Sequence, residues 1–156
     1  MADLKAKLQA DLATAIKSRE TTRLAALRMA LSAITTEEVA GDVARELSDA
    51  EVERVLTREV KKRKEAAEAF AGAGRTEQAQ AERDESAILA EYLPKQLADD
   101  ELETLVAAAV AEVTEQLGAA PTQRQMGQVM KAANAKIAGR AEGGRVAAAV
   151  KARIQS

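Results

Sequence analysis

Apolar side chains recur every three or four residues along almost the whole chain, the period of an amphipathic helix rather than the alternation of a strand. Leu4, Leu8, Leu12 and Ile16 form one stripe and predict a first helix, with Asp3 as its N-cap residue. Leu24, Leu27, Leu31 and Ile34 predict a second, which the basic pair Arg19 and Arg23 leads into. The pattern breaks from Gly41 to Leu47 and resumes at Ser48, which with Glu51 has the reciprocal spacing of a capping box. Val52, Val55, Leu56, Val60, Ala67 and Phe70 then carry a third helix as far as Gly72 and Gly74. A fourth is expected from Thr76 to Leu93, with Ile88, Leu89 and Tyr92 as its apolar end.

Pro94 interrupts this pattern, because a proline inside a helix removes a backbone donor and clashes with the preceding turn. The stretch Glu91-Tyr92-Leu93-Pro94-Lys95-Gln96-Leu97 therefore reads as a joint, and domains are expected at 1–93 and 94–156. Beyond it, Leu102, Leu105, Val106, Ala109, Val113 and Leu117 predict a fifth helix. Asp99, Asp100 and Glu101 crowd its first turn, where acids complement the helix dipole, and Gly118 stands at its C-cap. A sixth helix is expected from Thr122, capped with Gln125, through Met126, Val129, Met130, Ala133 and Ile137 to Gly139. Val146, Val150 and Ile154 predict a seventh after Gly143-Gly144. The expected fold class is all-α: a four-helix N-terminal domain followed by a small three-helix C-terminal domain.

Composition agrees with that reading and removes several chemistries. Alanine is abundant, while Phe and Tyr occur once each and Trp not at all. With neither Cys nor His, the chain has no disulfide, no Cys/His zinc site and no Ser-His-Asp triad. No run approaches the roughly 20 apolar residues that span a bilayer, and the charged start does not read as a signal peptide. The expectation is a soluble cytoplasmic protein that requires no cofactor and engages no membrane.

The glycine-rich stretches do not make a nucleotide site. Ala71-Gly72-Ala73-Gly74-Arg75 lacks the Gly-Lys-Ser/Thr ending of a P-loop, and no strand precedes it. The helix start at Gly143-Gly144, between Arg140 and Arg145, is a candidate phosphate position. The acids at 99–103 lack calcium-loop spacing and are explained as a dipole-matched helix start. No catalytic residue and no metal ligand stands out.

Charge is segregated. The chain carries −2 overall, yet residues 117–156 hold seven basic side chains against Glu142 alone, a net of +6. Six of the seven, Arg124, Lys131, Lys136, Arg140, Arg145 and Lys151, are the candidate RNA-phosphate contacts. Stacking aromatics are missing, so such contacts would read shape and phosphate more than bases. In the third helix, Lys61-Lys62-Arg63-Lys64 invites i,i+4 pairs of Lys61 with Glu65 and Lys64 with Glu68. Arg63 falls on the apolar side of that helix and suggests an interface with a buried stem. Arg23, Arg28, Arg63, Tyr92 and Pro94 are the interface candidates.

At these residues the chain resembles the GatB/YqeY family, and specifically its stand-alone YqeY-like proteins. The resemblance rests on Arg23-Leu24 through Leu27-Arg28-Met29 to Ser32-Ala33-Ile34, and on Arg58-Glu59-Val60-Lys61-Lys62-Arg63-Lys64-Glu65. It continues through Ile88-Leu89-Ala90-Glu91-Tyr92-Leu93-Pro94-Lys95-Gln96-Leu97, Met126-Gly127-Gln128-Val129-Met130 and Gly139-Arg140-Ala141 with Gly144 and Val146. Ala98 stands where such proteins often carry a capping Ser, and Glu142 where Asp is common.

The resemblance implies kinship with the C-terminal helical and tail regions of the B subunit of the tRNA-dependent amidotransferase, which transamidates Glu-tRNA(Gln) and Asp-tRNA(Asn). In that enzyme the tail helps recognise tRNA and the catalytic parts lie elsewhere. It therefore implies tRNA as a partner and carbon–nitrogen ligase activity, with glutamine as amido donor, only together with other subunits. A protein-interaction adaptor with no nucleic-acid role is the alternative.

Overall fold

The computed structural model describes residues 2–155, so Met1 and Ser156, the outermost residues of the two expected domains, lie outside the described residues. Among the described residues there are seven α-helices, one short 3-10 turn and no strand. The helices are α1 (Asp3–Ser18), α2 (Thr21–Glu38), α3 (Asp49–Gly72), α4 (Thr76–Ala90), α5 (Asp99–Leu117), α6 (Met126–Ile137) and α7 (Gly143–Gln155). The fold is all-α, and the chain divides into two compact units between Leu93 and Pro94.

In the first unit, α1 packs on α2, and α4 runs back along α3 while also touching α2. Leu8, Leu27, Ile34, Val52, Leu56 and Leu89 are fully buried at its centre. The 24 residues of α3 span about 36 Å. Its start is the expected capping box: Glu51 N donates to Ser48 Oγ (3.3 Å) and Ser48 N to Glu51 Oε2 (2.9 Å). Arg45 adds a second donor pair to the same carboxylate, which together with the Ser48 amide holds it down at about 2. At the other end Gly74 takes φ +75°, and Arg75 N and Gly74 N close back onto Phe70 O (2.8 Å) and Ala71 O (3.1 Å). That is a Schellman turn, and it is why the chain can reverse into α4 within three residues.

Three local expectations need correction. Asp3 is the first helical residue of α1 rather than its cap; Ala2 occupies the cap position and offers no side chain to it. Ile16 is 51% exposed, and Ala15 is buried in its place. A spacing of four advances about 40° past a full turn, so the stripe from Leu4 has rotated about 120° by Ile16, whereas Ala15, seven residues from Leu8, returns to within about 20° of it. The fourth helix ends at Ala90 rather than Leu93; a turn carries Tyr92 and Leu93, both packed against the core.

In the second unit, α5 packs on α6 and α7, which also pack on each other. Leu102, Val106, Ala109 and Val113 from α5 meet Val129, Ala133 and Ile137 from α6 and Val146 and Val150 from α7. The acids Asp99, Asp100 and Glu101 sit in the first turn of α5, and Gly118 ends it at φ +72°. The Thr122–Gln125 box is present, but it caps a 3-10 turn at Gln123–Gln125 that leads into α6, not α6 itself. Two residues with positive φ, Ala138 (51°) and Gly139 (79°), end α6.

Candidate functional site

The structure divides the six candidate RNA-contacting cations into two classes. Arg140 curls back over the end of α6, donating from Nε to Ile137 O and from Nη2 to Lys136 O, both at 2.9 Å. It thereby satisfies two of the terminal carbonyls that the helix leaves without partners. Arg145 donates from Nη2 to Leu97 O and to Asp99 Oδ1, both at 2.9 Å, and so fastens α7 to the start of α5. Lys136 pairs with Glu112 on α5 at 2.9 Å. These three are committed to holding the second unit together. At the candidate phosphate position, both flanking guanidinium groups thus already make hydrogen bonds within the unit.

Arg124, Lys131 and Lys151 are different. All three are exposed, and none has an ion pair or side-chain hydrogen bond among the described residues. Arg124 lies in the 3-10 turn and Lys131 on α6, and between them in sequence Gln128 donates to Gln116 (3.2 Å), linking α6 to the end of α5. Of the six candidates, three therefore have internal partners and three have none among the described residues.

The interface candidates of the first unit also have definite places. Arg63 is 5% exposed, with Nη1 donating to Glu59 Oε2 at 2.7 Å and to Glu59 O at 3.1 Å. Its Nε lies 3.4 Å from Glu85 Oε2, within ion-pair range but without hydrogen-bond geometry, and is a buried donor left without a partner. Burial pushes the Glu59 carboxyl up, but hydrogen bonds from Arg63 and Lys62 outweigh it and hold the group below its ordinary value. The expected pairs of Lys61 with Glu65 and Lys64 with Glu68 do not form; Lys62 and Arg63 pair with Glu59 instead.

Tyr92 donates its hydroxyl to Asp11 Oδ2 (2.5 Å), and Lys7 Nζ sits 5.3 Å over its ring. Burial, and then the Asp11 carboxylate, push its phenol up to about 12. Arg23 pairs with Glu91 at 3.1 Å and with Glu20 at 3.6 Å, tying the turn after α4 to α2. Arg28 is exposed with no partner among the described residues, and Pro94 is half-buried.

Residue reasoning along the chain did not anticipate a groove of about 620 Å³ where α2, α3 and α4 meet. Its apolar lining includes Ala33, Val55 and Ala66, with Met29 at its edge, and its charged lining includes Arg58, Glu82 and Glu85. No local motif could have announced it, because it is assembled from three helices far apart in sequence. Among the described residues no cluster of acidic side chains is arranged to hold a metal ion, and no helix is long and apolar enough to cross a membrane.

A family model described as YqeY-like protein matches residues 5–154. The chain belongs to the YqeY family. Comparison with curated proteins gave no match. The YqeY match runs through both compact units, so the free cations of the second and the groove of the first both lie within the family's own span.

Proposed function

We propose that this YqeY-family chain is an RNA-binding accessory protein that docks tRNA through its second unit. What supports the reading is a single observation: Arg124, Lys131 and Lys151 stand exposed and unpaired in a segment with a net charge of +6. Unpaired lysines and arginines release counterions from a phosphate backbone without first giving up an internal partner, which is the main source of sequence-independent affinity. The resemblance to the B subunit of the tRNA-dependent amidotransferase is the reason for choosing tRNA, and on this reading any carbon–nitrogen ligase chemistry belongs to other subunits. On this reading the two units are a four-helix and a three-helix domain, acting in the cytoplasm.

Binding of labelled tRNA to the purified chain, followed at two salt concentrations, tests the proposal. Affinity that falls as salt rises supports it. Absence of binding at low salt overturns it.

A further inference from the structure

The groove of the first unit has features that its role in the fold does not use. Arg58 pairs with Glu37 at 3.1 Å, Lys62 with Glu59 at 3.2 Å and Arg63 with Glu59 at 2.7 Å, so the three cations lining the groove are already matched from within. On the opposite rim Glu82 is not, and Glu85 has only an ion pair with Arg63 Nε that lacks hydrogen-bond geometry. Glu82 and Glu85 lie one turn apart on α4, both half-buried and both lining the groove. Glu82 has no ion pair or hydrogen bond among the described residues. Glu85 is only 22% exposed, and its ion pair with Arg63 Nε, at 3.4 Å, is not a hydrogen bond. Counting all lining residues, four Glu face two Arg and one Lys, a net of −1.

Beside these acids the floor is apolar. Ala33, Val55 and Ala66 line it, and Met29 stands at its edge 54% exposed, although it belongs to a helix whose other large apolar residues are covered. An exposed methionine beside a trough between helices is an adaptable apolar contact of the kind used to seat another helix. Half-buried carboxylates short of donors gain more from an incoming cation than fully solvated ones would.

We infer that this groove is a docking site for a basic amphipathic helix of a partner protein. The partner's apolar stripe lies over Met29 and Ala33, and one or two of its lysines or arginines reach Glu82 and Glu85. The surface is distinct from the cations of the second unit, so the inference stands or falls independently of RNA binding.

Methionine methyl NMR provides the test, because among the described methionines Met29 alone lines the groove, whereas Met126 and Met130 lie in the second unit. Two synthetic helical peptides would be titrated into the full chain, both with leucines at i, i+3 and i+7, one with lysines and the other with glutamates beside them. The lysine peptide should shift the Met29 methyl saturably and leave Met126 and Met130 in place. Glu82→Gln/Glu85→Gln should weaken that binding at least tenfold, with unmoved Met126 and Met130 signals and an intact helical circular dichroism spectrum certifying the fold. The inference is overturned if neither peptide moves Met29, if the glutamate peptide moves it equally, or if the double variant binds as tightly as the wild type. The comparison of the two peptides on wild-type protein decides the matter even if the variant does not fold.

Discussion

Replacing Arg63 with alanine should destabilise the first unit more than any other single change among its charged residues. The guanidinium lies 2.7 Å from Glu59 Oε2, and both residues are more than nine-tenths buried. At an effective dielectric constant of ~20 that separation corresponds to about 6 kcal/mol of attraction, most of which the desolvation of the two groups offsets. Truncating one partner of such a pair costs about 3–5 kcal/mol, because the other charge stays behind unmatched. Lys62 remains 3.2 Å from Glu59, which places Arg63→Ala near the lower figure, about 3 kcal/mol. For a unit of this size each kcal/mol moves the midpoint by about 4–8 °C, so Tm should fall by roughly 12–24 °C.

Tyr92 makes the assay specific. It is the sole tyrosine, the chain has no tryptophan, and it packs against the core of the first unit, so its fluorescence follows that unit's unfolding alone. Glu59→Leu/Arg63→Met, which replaces the pair with apolar groups, should return to within about 1 kcal/mol of wild type. The pH dependence has a definite sign. Because the folded Glu59 carboxyl is held below its ordinary value, its contribution is fully present above that value and is lost as pH falls through the folded one. Arg63→Ala should remove much of that acid sensitivity. An unchanged Tyr92 transition in Arg63→Ala, or a double variant as unstable as the single one, would refute the reasoning.

Other expectations follow from particular contacts. Near-ultraviolet titration of Tyr92 should give a midpoint at about 12 rather than the usual ~10; the stability it contributes is present below pH ~10 and lost as pH rises towards the folded value. Tyr92→Phe should cost about 1 kcal/mol in denaturant melts and abolish that alkaline loss. Ala138→Gly should stabilise the second unit by up to about 1 kcal/mol, because φ 51° is a conformation that a Cβ disfavours; a lower circular dichroism midpoint would contradict this. Ser48→Ala should lose the cap of α3, at a cost of about 1 kcal/mol in the Tyr92-detected transition.

Most of the helices are legible in the chain because their boundaries are chemical: Ser48 with Glu51, Gly74, the acids at 99–101, Gly118 and Thr122 with Gln125 all mark real turns or caps. The misplacements have separate physical origins. A spacing of four is not the helical period, so Ile16 drifts off the core and Ala15 replaces it. Tyr92 stays packed through its ring and its bond to Asp11 although α4 has already ended, which no periodicity reports. The candidate site was legible as a surplus of positive charge, but not in its division. Arg140 and Arg145 are taken up by backbone carbonyls at Ile137, Lys136 and Leu97, and such acceptors are invisible in a charge count. Arg63 was visible as an arginine on an apolar face, with Glu59 one turn before it on the same helix; that Glu85 also approaches it depends on how α3 and α4 pack. The groove beside it has no sequence signature at all.

The most direct test of RNA docking is the salt dependence of tRNA binding by wild type and by Arg124→Ala/Lys131→Ala/Lys151→Ala, which leaves the structural Lys136, Arg140 and Arg145 untouched. Each phosphate contact contributes about 0.7–0.9 to the slope of log affinity against log salt. If the three free cations make one contact each, the triple variant should bind more weakly at low salt, with a slope shallower by roughly 2–3. Equal slopes and affinities for the two proteins, with the helical signal unchanged, would contradict the account.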